Sequence, residues 1–111
     1  RMVDVPGLEK RRGQRSFANW DEFLPAELVA ESEETVRGLI DRLLSLGPDP
    51  TRERVQGEID ECVRRFNELD ASREHSWICT IEREDISVVL WGLVDLCGFN
   101  GSEEWLGERD W

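Results

Sequence analysis

Apolar residues return every three or four positions in three separate windows, and that period restricts the chain to helices packed side by side. Val36, Leu39, Ile40, Leu43 and Leu44 form the first stripe. Val55, Ile59, Cys62, Val63, Phe66 and Leu69 form the second. The third runs from Ile86 to Cys97 and is apolar on most of its circumference, so it is expected to be the central, most buried helix. Punctuation agrees with the period. Ser32 and Thr51 are expected N-caps of the first two helices, and Thr80 of the third. Gly47-Pro48 and Gly98 sit where helices stop. The expectation is mainly α: a small three- to four-helix bundle with principal helices near 33–46, 52–68 and 82–97. Its core is expected to hold Val36, Leu39, Ile40, Leu43, Ile59, Val63, Phe66, Ile86, Leu90 and Leu93. Gly38, Gly57 and Gly92 fall inside these helices, and close helix approach is the simplest reason to place glycine there.

Outside the three windows the pattern weakens. Residues 1–16 have little apolar content and read as a flexible basic arm. Phe17, Trp20, Phe23 and Leu24 open the ordered part, and Pro25 to Ala30 reads as a separate helical turn. Phe99 to Trp111 is an acidic tail that carries Trp105, Leu106 and Trp111. The organisation expected is a 1–16 arm and a single helical domain over 17–111, since 111 residues suffice for one core.

The chain carries −11, and the charge is uneven. Residues 1–16 hold five basic groups against Asp4 and Glu9, a net +3, so the remainder carries −14. A body this acidic is repelled by nucleic acid phosphates and by anionic membranes, which leaves a basic protein as the expected macromolecular partner. No apolar run approaches the roughly 20 residues that cross a bilayer. Met2 is read as a candidate native start, and no apolar run follows the early basic residues to make a secretory signal. Three cysteines, an odd number, argue for reduced thiols and a cytoplasmic location.

Chemistry-bearing sets are few. Cys62, His75, Cys79 and Cys97 add up to four zinc ligands, but only His75 and Cys79 are close in sequence, and Cys62 and Cys97 lie on apolar stripes. No phosphate-cradling glycine loop and no nucleophile set are present. Two acidic spacings stand out. Glu58 and Glu61 form E-x-x-E on the second helix, and Glu82 and Asp85 form E-x-x-D at the start of the third. Residues three apart share a helix face, so two such pairs can gather four carboxylates around Mg²⁺, which then binds phosphates and activates water. Over Glu58 to Asn100 this arrangement resembles the MazG-like all-α nucleoside triphosphate pyrophosphohydrolases. The stretch from Glu82 to Asn100, with its closing glycine, is similar to that family's second acidic helix. The resemblance implies a Mg²⁺ cofactor held by Glu58, Glu61, Glu82 and Asp85. The plainer role for Glu82 and Asp85 is to meet the positive end of their own helix.

The leading expectation is a non-catalytic, small acidic binding or regulatory protein, without catalytic residues, metal or cofactor. In size and charge alone it is similar to bacterial immunity and antitoxin-type inhibitors of basic nucleases. Five tryptophans support it, because tryptophan is enriched at interaction hot spots. Trp77 and Trp91 are expected in the core. Trp20, Glu103, Glu104, Trp105, Glu108 and Trp111 are the expected partner-binding residues, aromatic anchors within a charged rim. The competing account docks Trp105 and Trp111 on the central helix. The Mg²⁺-dependent hydrolase is the alternative function, and a purely structural domain the third.

Overall fold

Gly47 and Pro48 divide the chain as their chemistry requires. Gly47 takes φ of +89°, a left-handed conformation that favours glycine, and Pro48 follows where the helix has ended. The computed structural model describes residues 2–111, so Arg1, the first residue of the expected arm, lies outside it. Four helices appear in order: α1 (Val5–Arg12), α2 (Ala26–Ser45), α3 (Arg52–Ala71) and α4 (Thr80–Leu96). Short 3-10 turns at Ala18–Glu22 and Glu103–Leu106 complete the set, and no strand is found among the described residues. The radius of gyration is 13.5 Å, close to the ~13 Å of a compact chain of this length. The small helical bundle expected from the sequence is therefore the architecture. No helix is long and apolar enough to cross a membrane.

The α2–α3 hairpin is the hub. All ten expected core residues are buried. Thr51 caps α3 as expected, its Oγ1 accepting from the Arg54 amide at 3.2 Å. Arg42 Nε donates to Glu58 at 2.8 Å across the two helices. Phe66 carries the core outward, meeting Phe17 edge-on at 6.2 Å on one side and Trp111 at 6.4 Å on the other.

Four expectations are corrected. The segment 1–16 is not a flexible arm over its described part. Asp4 caps α1 by accepting from the Gly7 amide at 3.0 Å, and Leu8 is fully buried. One apolar side chain docks it, too few to show a periodic stripe. Second, α2 starts at Ala26, with Pro25 before its first residue, and runs unbroken through Ser32. Ser32 is buried and donates to the Leu28 carbonyl at 2.9 Å, the back-bond of a mid-helix serine. Third, α4 begins one residue early. Cys79 is its cap, in a reciprocal box with Glu82 whose Oε1 accepts from the Cys79 amide at 2.8 Å. Fourth, α4 is not enclosed on all sides, since Ile81 and Val88 are exposed.

The helix glycines follow a different logic from the one expected. Gly57 meets nothing within 4 Å. The close approaches fall elsewhere: a Cβ on Gly101 would lie 2.6 Å from the Trp91 Cβ, and one on Gly7 would lie 2.8 Å from a Leu96 methyl. The first lets the tail cross the backbone of α4, and the second lets α1 lie against it.

Candidate protein-binding face

A side chain recurs on the same side of a helix every three to four residues, so Ile81, Glu84, Val88 and Trp91 share one side of α4. Ile81 is 59% exposed and Val88 62%. Trp91 is half-buried. The segment after α4 turns back beside this side. Gly98 takes φ of +93°, and the Gly101 amide donates to Asp95 at 2.8 Å. The Trp105 indole donates to the Asn100 carbonyl at 2.8 Å. These contacts seat the second 3-10 turn so that Glu103, ion-paired to Arg109 at 2.8 Å, stands next to α4.

Between the tail and α4 lies a cleft of about 390 Å³, lined by Arg83, Glu84, Ser87, Val88, Trp91, Glu103 and Arg109. The Trp91 indole Nε1–H is buried and has no partner in the protein. A buried donor without an acceptor costs free energy in the folded chain. The cleft thus offers apolar surface and charges of both signs. Ser87, the hydroxyl in its lining, donates to the Arg83 carbonyl at 2.8 Å.

A second groove, of about 420 Å³, runs between α2 and α3, with Glu34, Gly38, Arg42, Glu61, Cys62 and Arg65 among its lining residues. Four of its five charged side chains are already matched, Glu34 with Arg37, Glu61 with Arg64, Arg42 with Glu58 and Arg65 with Glu68, and Glu31 is the fifth. Little in it is left to recruit a ligand.

The expected partner-binding residues are placed as follows. Trp20 is fully buried, stacked on Phe17 at 4.1 Å, and its indole donates to Asp85 at 2.9 Å. Trp105 is buried beneath Arg52, whose guanidinium lies 4.4 Å from its ring centroid. Trp111 is buried against Phe66. The expected aromatic anchors are therefore core residues, and the competing account of the tail describes their packing, though it rests largely on α3. Glu103, Glu104 and Glu108 are exposed. Of these, only Glu103 lines the α4 cleft, beside Trp91, an aromatic expected to be core. The sequence signal for this site was the wide apolar circumference of α4, read as complete burial.

The two acidic pairs do not converge. Glu58 faces α2 and holds Arg42, while Glu61 pairs with Arg64 on its own helix at 3.4 Å. Glu82 folds back onto the start of α4. Asp85 turns to the first 3-10 turn, accepting from Asn19 at 3.0 Å and from Trp20. Among the described residues no three His, Cys, Asp or Glu side chains are grouped to hold a metal ion. The residues present do not fit the Mg²⁺ cluster that the resemblance implied, because each carboxylate serves a different element. Cys62 and Cys97 are buried while Cys79 is exposed, so the zinc set does not assemble either.

A family model matches residues 16–111, so the chain belongs to DUF5713, a family of unknown function. No curated protein and no solved structure matches the chain.

Proposed function

We propose that this member of DUF5713 is a non-catalytic acidic binding protein that receives a basic protein partner on the outer side of α4 and the adjoining tail. One observation carries the reading: Ile81 and Val88 are exposed on a single side of α4, beside a cleft lined by Val88, the half-buried Trp91 and charges of both signs. An apolar side chain from the partner would fill the cleft beside Val88 and Trp91. Apolar contact at the centre supplies desolvation, and the charged rim orients the approach. Glu84, Glu103 and the acidic body favour a cationic partner and speed its encounter.

The test is retention from a lysate of the source organism on the immobilised intact protein, with wild type and Val88→Glu compared. Val88 is a surface position, so its replacement should shift stability by no more than about 0.5 kcal/mol. The expected result is a basic protein held by the wild type and lost with Val88→Glu at unchanged melting temperature. Retention that is equal for both chains would overturn the assignment of this face.

A further inference from the structure

The family match begins at Ser16, and α1 is the one helix that lies before it. It is also held differently from the others. It runs along the channel between α2 and α4, opposed in direction to both. On one side the contacts step from the Val3 amide on the Pro48 carbonyl, to Arg12 on Asp41, to Arg15 on Glu33. On the other they step from the Asp4 amide on the Leu96 carbonyl to Arg11 beside Gly92. Leu8 is the only fully buried side chain that α1 contributes. The seam with α4 stays partly open, with a cleft of about 330 Å³ lined by Gly7, Lys10, Arg11, Gly92 and Leu96 among others. The acceptors of its arginines, Asp21, Glu33 and Asp41, all belong to the acidic body.

With one buried side chain, against eight, six and seven in α2, α3 and α4, and with two backbone hydrogen bonds at its start and mostly exposed ion pairs as its other ties, α1 is the helix that opens at the lowest local cost. The channel it covers has the features of a peptide-binding groove: a slot for one leucine-sized residue, carboxylates spaced for basic side chains, and a wall at Leu96 whose methyl a Cβ on Gly7 would meet at 2.8 Å. We propose that the channel between α2 and α4 is a receptor for a basic helix of a partner protein, and that α1 is its built-in competitor. The recognised segment carries an apolar residue in the Leu8 place, an arginine four positions later on the helix, a second arginine three residues beyond that, past the helix end, and a small residue just before the apolar one. Tethering gives α1 a high effective concentration, so an external helix binds only to the fraction of molecules in which α1 has opened. The residues involved are disjoint from the α4 cleft, so failure of either site leaves the other standing.

The test uses the intact chain and a fluorescent peptide with the sequence of residues 2–16, read by anisotropy. In the chain with Leu8→Ala the plug is weakened, and the peptide should bind at least about tenfold tighter than to wild type. Adding Asp41→Arg to that chain should remove the gain. Equal binding to wild type and Leu8→Ala, absence of binding to both, or a gain that survives Asp41→Arg overturns the proposal. Hydrogen exchange of the wild-type chain gives an independent reading, and it decides alone should Leu8→Ala fail to fold. Amides of residues 8–12 should exchange at least about tenfold faster than those around Ile40 and Ile59. Exchange of α1 only together with α2 and α3 would make it a fixed part of the fold and end the idea.

Discussion

Two carboxylates hold the irregular segments in place. Glu33 is buried and accepts three bonds at once, from Arg15 Nε at 3.0 Å, the Ser16 amide at 2.8 Å and the Phe17 amide at 2.9 Å. It therefore pins the passage from α1 to the first 3-10 turn. Asp70 closes the loop after α3, accepting from Ser76 Oγ at 3.1 Å and from the Trp77 and Ile78 amides at 2.9 Å. Charge-assisted bonds to backbone donors replace the ladder that a helix would supply. Burial sorts the thiols just as sharply. It pushes the Cys62 thiol up to about 12 and Cys97 up to about 11, whereas Cys79 is exposed. Thiolate is the reactive form, so a disulfide reagent at pH 8 should label one cysteine quickly in the native protein and all three after denaturation. Rapid labelling of Cys62 without denaturant would contradict the burial described for α3.

At the scale of elements, the tail behaves as a further layer of the core. Trp105, Leu106 and Trp111 are buried, and Asn67 on α3 clasps the chain from both sides, donating to the Glu108 carbonyl and accepting from the Asp110 amide, each at 2.9 Å. Deleting residues 102–111 should lower the melting temperature by well over 8 °C. About 1 kcal/mol moves a domain of this size by roughly 4–8 °C, and burying even one such side chain contributes more than that. A melting temperature within two degrees of wild type would mean that the tail is not core.

The same contrast explains what could be read from the sequence. The stripes of α2, α3 and α4 were legible because each helix buries one continuous side, and periodicity records that directly. Leu8 was not, because a helix docked through a single residue leaves no period to detect. Ser32 looked like a cap because a serine before two glutamates has the same composition at a helix start as within one; only the continuation from Ala26 decides. Trp20, Trp105 and Trp111 misled for a related reason. They pack through contacts between distant parts of the chain, Trp20 with Asp85 and Trp111 with Phe66, and sequence spacing does not record such contacts. The α4 site was hidden by its own composition. A wide apolar circumference has one appearance whether all of it is covered or one side is left open.

For the molecule as a whole, the −14 of residues 17–111 lies on a body onto which the basic N-terminal segment is folded, so α1 offsets part of the self-repulsion that an acidic surface creates. The arrangement of contacts along the chain has a kinetic consequence as well. The two longest helices are joined by only the residues between Ser45 and Arg52, so their pairing closes a short loop and loses little chain entropy. The terminal segments must instead find partners far away in sequence: Asp4 meets Leu96, and Asn67 meets Asp110. The hairpin is thus the natural nucleus, and the two ends are late arrivals. Stopped-flow measurements should separate the two groups. Shortening Leu43 or Ile59 should slow refolding, whereas shortening Leu8 or Leu106 should leave refolding nearly unchanged and hasten unfolding. Equal slowing of refolding by both groups would mean that the ends are gathered before the barrier is crossed. In the expected case the lifetime of the native state is set at its two ends, while its rate of formation is set in the middle.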